Sequence, residues 1–129
     1  MSVNYDQSAI EDILKGMVQK AGISENIFKG SRPKTIEKTM NDFVVVKLTG
    51  SVSDMAAYGR TTCSIDLYVR NIAEEKNGNR LSVMFRKVDS LLPRQEGTLL
   101  LNEPRTIADV PDGYGFTVRM INISTIIEN

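Results

Sequence analysis

The sequence predicts an α+β fold: a two-layer sandwich in which two helices cover a mainly antiparallel four-stranded sheet, in the order αββαββ. Two stretches repeat apolar residues at helical spacing, and four others read as strands, the first of them β-branched and the second strictly alternating. The third observation is size. At 129 residues, 41% hydrophobic and 25% charged, the chain makes one globular domain, 1–129, without internal repeats.

The first helix starts at Ser8, with Glu11 three residues on at capping-box spacing. Ile10, Ile13, Leu14, Met17, Val18 and Ala21 form one stripe, Glu11, Asp12, Lys15 and Gln19 lie on the wet side, and Gly22 supplies the cap. Residues 23–41 have neither period, so a surface connection is expected, with a short extended piece at Ile27 and Phe28. Residues 42–49 hold Phe43, Val44, Val45, Val46 and Leu48, the pattern of a strand covered on both faces. Gly50 to Asp54 breaks it, and residues 60–70 then alternate, with Thr61, Cys63, Ile65, Leu67 and Val69 on one face. These two strands are expected to pair as a hairpin.

Asn77-Gly78-Asn79 ends a polar stretch and offers an asparagine N-cap. Leu81, Met84, Phe85, Val88, Leu91 and Leu92 follow at helical spacing until Pro93 closes the second helix. A short strand at 98–102, a loop at 103–115 and a last strand at 116–127 complete the chain. In that last strand the apolar phase moves from Phe116, Val118 and Met120 to Ile121 and Ile123. Either a β-bulge near Met120 or burial of both faces accounts for the switch.

The chain has no histidine, which excludes Ser-His-Asp and Cys-His catalysis and the common zinc sites. One cysteine cannot form an intramolecular disulfide, and Cys63 lies on the apolar face of its strand, so a buried structural thiol in a reducing compartment is expected. Apolar runs are too short to cross a bilayer, which fits a soluble, cytosolic protein without membrane contact. Sixteen basic and sixteen acidic residues cancel overall, and no segment departs from neutrality by more than two charges. The nearest approach to a basic patch is Lys29, Arg32, Lys34 and Lys38 beside Phe28, which reads as a solvated, mobile connection rather than a DNA contact.

Asp42, Asp54, Asp66, Glu74 and Glu75 are hard oxygen donors, and Asp66 with Glu74-Glu75-Lys76 superficially copies a nuclease metal site. The second part falls in a polar loop rather than on a neighbouring strand, so surface charge is the better reading. No catalytic, cofactor or metal residue is assigned, and no small-molecule substrate is expected. Gly113-Tyr114-Gly115 precedes a strand and lacks a phosphate-binding continuation, so it reads as a turn. Asn122-Ile123-Ser124 matches a glycosylation sequon but lies inside a strand. Candidate subunit contacts are Val52, Met55, Tyr58 and Arg60, with Ala56 and Ala57, in and beside one loop, and Ile107 and Val110 in the other.

In the order of its elements the chain resembles the tail terminator, or tail completion, proteins of tailed bacteriophages. The resemblance runs from the amphipathic helix through Phe28-Lys29-Gly30-Ser31-Arg32-Pro33, the strand Cys63-Ser64-Ile65-Asp66-Leu67-Tyr68-Val69 and the helix ending Val88-Asp89-Ser90-Leu91-Leu92 to the closing strands. It implies a non-enzymatic structural subunit of a phage or prophage. Such a subunit assembles into a ring, commonly a hexamer, at the tail end or the head–tail joint. Its partners are copies of itself and other tail or connector proteins, and it resides in the host cytoplasm and then the virion. A small protein- or DNA-binding module of a mobile element is the alternative, followed by a metal-dependent enzyme.

Overall fold

The computed structural model describes residues 6–55 and 58–128. The elements are α1 (Gln7–Ala21), β1 (Ile27–Lys29), β2 (Asp42–Leu48), β3 (Ser53–Asp54), β4 (Tyr58–Arg70), α2 (Gly78–Leu91), β5 (Arg94–Glu96), β6 (Leu99–Thr106), β7 (Val110–Pro111) and β8 (Phe116–Glu128). The chain is α+β with two helices. The sheet, however, is mixed and eight-stranded, in the order β1-β2-β4-β8-β6-β5, with β3 pairing β4 and β7 pairing β8.

This corrects the expected four-stranded antiparallel sheet, and the reason is local. The four long strands form the antiparallel centre, β2-β4-β8-β6. The remaining four have only two or three residues, too few to show a period. β1 runs parallel to β2, Ile27 to Lys29 facing Val44 to Val46. A parallel neighbour needs a crossover of about a dozen residues, which residues 30–41 provide.

The phase switch in β8 resolves as two-sided burial. β8 pairs with β4 without interruption from Phe116 against Arg70 to Glu128 against Tyr58. Phe116 and Val118 are buried on one face, and Ile121, Ile123 and Ile127 on the other. The irregularity lies in β6 instead, where the register shifts between Leu101 and Pro104 so that Asn102 and Glu103 oppose Ser124 alone.

Both helices lie on one face. Leu14, Met17 and Val18 of α1 and Leu81, Met84 and Val88 of α2 pack with Val44, Val46, Cys63, Ile65, Leu67, Ile121 and Ile123. Cys63 is fully buried there, and burial pushes its thiol pKa up. α1 begins two residues earlier than the capping-box reading. Asp6 is the N-cap, accepting from the Ser8 and Ala9 amides, and Gly22 closes the helix in the left-handed region at φ 65°. Glu11 is freed for other work: only 5% exposed, it accepts the Leu48 amide at 3.1 Å, beyond the end of β1. α2 is capped by Asn77 as expected, through the Arg80 amide.

Candidate functional site

The face of the sheet away from the helices divides into a covered half and an open half. On the covered half, Phe43, Val45 and Phe116 form a second core, joined by Phe28, Ile36, Met40 and Tyr68. Phe43 stacks on Tyr68 at 4.4 Å and meets Phe116 and Phe28 edge-on at 5.3 and 5.8 Å. Burial raises the Tyr68 pKa. Residues 31–41 lie over this cluster, so the segment expected to be a mobile surface connection is part of the fold. Arg32 enters among the rings, 4.8 Å from Tyr114 and 5.9–6.0 Å from Phe43, Tyr68 and Phe116. It also meets Asp112 at 3.3 Å. Arg70 stacks on Phe116 at 4.6 Å and donates to the carbonyls of Glu37 and Met40.

The open half continues along β4, β8 and β6. Thr62, Asn122, Ser124, Arg105, Thr106 and Ile107 line a cleft of about 410 Å³. Arg105 pairs with Asn122 through the β6–β8 ladder, and its exposed guanidinium has no hydrogen bond or ion pair among the described residues. At the border of the halves Asp66 is 1% exposed, hydrogen-bonded by Ser64 and held by Lys47 at 3.0 Å. A charge this buried survives only when paired. Arg119 crosses to the helix side, where it forks onto Asp109 at 2.7 and 2.9 Å and packs under Phe85 at 5.7 Å. Lys76 joins from 3.2 Å. The Arg119 hydrogen bonds, opposed by burial and aided by Lys76, hold the Asp109 carboxyl below the usual carboxylate range.

The proposed subunit contacts fall into two groups, which the fold does not merge. Tyr58 pairs with Glu128 at one end of β8, and Val110 pairs with Val118, about 33 Å away along the strand. Met55, 46% exposed, and exposed Arg60 belong to the first group, with Tyr58 half-buried. Val52, also of this group, is half-buried and packs on the helix-side core. Ala56 and Ala57 lie outside the described residues. Ile107 and Val110 are 44% and 37% exposed. Ile107 bonds through its amide to Met120 and lies between the open-half cleft and a second hollow lined by Lys76, Phe85 and Arg119.

The two parts of the metal reading are not brought together either. Asp66 lies inside β4, whereas Glu74 sits beyond its end in the tight turn closed by Ile72 and Glu75. Among the described residues no group of three or more His, Cys, Asp or Glu side chains converges on a metal position. The basic run is divided: Lys29 is committed to Asp12 at 2.6 Å and to Ser8, and Arg32 to the aromatic cluster, leaving Lys34 and Lys38 exposed. Gly113 and Gly115 take positive φ, 81° and 89°, in a turn where Asp112 accepts from the Tyr114 and Phe116 amides.

Sequence reasoning missed Arg32 as an organising residue, because its ring partners come from β2, β4, β8 and the Tyr114 turn, and only strand register brings them together. Arg119 carried a usable signal: a charge at the same parity as Ile121 and Ile123 has to find a partner. Among the described residues, no helix is long and apolar enough to cross a membrane. No family model matches the chain, and no curated protein shows significant similarity to it.

Proposed function

We propose that the chain is a non-enzymatic structural subunit of a phage or prophage, of the tail-terminator, tail-completion or head–tail joining kind. It assembles with copies of itself into a ring, with a hexamer as the size to test first. Its further partners are tail or connector proteins, and it passes from the host cytoplasm into the particle.

The observation that carries the reading is the open half of the sheet face. It combines an exposed apolar side chain, Ile107, with Arg105 and a hydroxyl- and amide-lined cleft. Such a mixture of an apolar anchor, an arginine and polar groups suits protein contact. The sheet edges favour face contact over strand addition, since Glu11 takes up the Leu48 amide on β2 and Pro104 removes a donor from β6.

Light scattering over a concentration series tests this. The expected result is a discrete species near six times the 14.4 kDa chain mass, or another closed multiple, at high concentration. A monomer throughout, including with tail-tube protein added, overturns the reading. DNA titration at two salt concentrations separates the DNA-binding alternative, whose affinity falls steeply with salt.

A further inference from the structure

We propose that residues 30–41 form a strap that opens as a unit, separately from the rest of the fold, with Arg32 as its latch. The inference concerns the covered half of the sheet face and holds whether or not the subunit forms a ring.

The strap is attached by side chains rather than by a ladder. Its backbone bonds are few: Gly30 donates to Val46, Ser31 to Lys29, Met40 to Glu37, and Arg70 donates to Asn41 at its far end. Between Ser31 and Glu37 no backbone hydrogen bond joins it to the sheet among the described residues. Its apolar anchors, Ile36 and Met40, are only half-buried, while the residues beneath them, Phe43, Val45 and Phe116, are 0–1% exposed. Few bonds and shallow anchors over a dry surface are what allow a segment to open without its neighbours.

The latch itself is incompletely satisfied. Arg32 reaches Asp112 through one nitrogen at 3.3 Å, off the line of a hydrogen bond, and both Arg32 Nε and Asp112 Oδ2 are buried without a hydrogen-bond partner. Arg70 Nε is a third such atom at the same cluster. The Arg119–Asp109 pair shows what a complete fork looks like in this molecule, with two bonds at 2.7 and 2.9 Å. Groups that solvent would satisfy better than their present partners lower the cost of opening. The positive φ of Gly30, 82°, places a glycine at one end as a hinge. Opening would join the aromatic cluster to the open half, because both belong to the same face of β4 and β8.

The test uses the buried Cys63 as an internal clock. Val45→Cys places a thiol beneath the strap, on the face opposite Cys63, which is reached only when the helix-side core opens. Labelling by a maleimide, read by mass spectrometry, is expected to be about tenfold or more faster at position 45 than at Cys63. Adding Arg32→Ala is expected to speed position 45 further, with a smaller effect on Cys63. Equal rates at the two thiols, before and after Arg32→Ala, overturn the proposal. If the variants do not fold, hydrogen exchange of the unaltered chain decides. The Arg70 amide, bonded to Asn41, and the Phe116 amide, bonded to Asp112, are expected to exchange through smaller openings than Ile65 and Leu67 in mid-strand. One common opening energy for all four overturns the proposal as well.

Discussion

Glu11 shows how one side chain can leave its predicted role and gain a larger one. At capping-box spacing it belongs to the helix start, yet its carboxylate is turned inward to the Leu48 amide. Glu11→Ala strands that donor in a half-buried place and is expected to cost about 1–2 kcal/mol in urea unfolding, whereas Glu11→Gln keeps an acceptor and costs less. A loss shared equally by both variants would point to packing rather than to the bond. A second residue-level prediction concerns the two-residue turn after β4, where Ala73 and Glu74 both take positive φ, 50° and 66°. That is the signature of the turn type that favours Asn-Gly. Replacing the pair by Ala73→Asn and Glu74→Gly is expected to raise stability by about 1 kcal/mol, the relief of left-handed strain exceeding the added unfolded-state entropy. An unchanged or lower unfolding midpoint would show that the turn carries no such strain.

At the scale of elements, what was legible depended on length. The two helices and four long strands each span enough residues to display a period, so their kinds could be read. The short strands, the parallel β1 and the strap could not, because they exist only through partners distant in the chain. The loop before β8 is the same case: Asp109 reads as a loop charge until register sets it against Arg119 and Lys76. This tether makes acid sensitivity an element-level property. The folded Asp109 pKa lies below its unfolded value of about 3.9. Its stabilisation is therefore complete above the unfolded pKa and is lost as pH falls through the folded one. Asp109→Asn is expected to lower stability by roughly 1–2 kcal/mol at neutral pH and to reduce the loss between pH 5 and pH 2. Parallel stability–pH curves for the two proteins would remove Asp109 as the cause.

For the molecule as a whole, periodicity gave the class and the helix-covered layer, while the division of the other sheet face stayed hidden. The alternation of residues 60–70 told which side chains share a face, but not that residues 31–41 would cross one end of it and leave the other bare. The candidate contacts were chosen as residues in and beside loops, and Val52 shows that a loop position next to a strand end can still pack onto the core. Ile107 is exposed, and Arg105, two residues earlier and with no side-chain partner among the described residues, lies beside the same cleft. If this half-face is where copies meet, reversing its charge and burying an acid in its apolar contact must weaken assembly. Arg105→Glu with Ile107→Asp is expected to lower the association constant by about ten- to a hundredfold. Both residues are exposed in the single chain, so the fold and its unfolding midpoint should be preserved. Val83→Asp with Arg86→Glu, both exposed on α2, makes the same change in net charge and is the control that should leave association unchanged. Sedimentation of all three proteins at matched concentrations reads the outcome: equal weakening by both variants would mean that net charge drives association, and no weakening by either would move the contact off the sheet face.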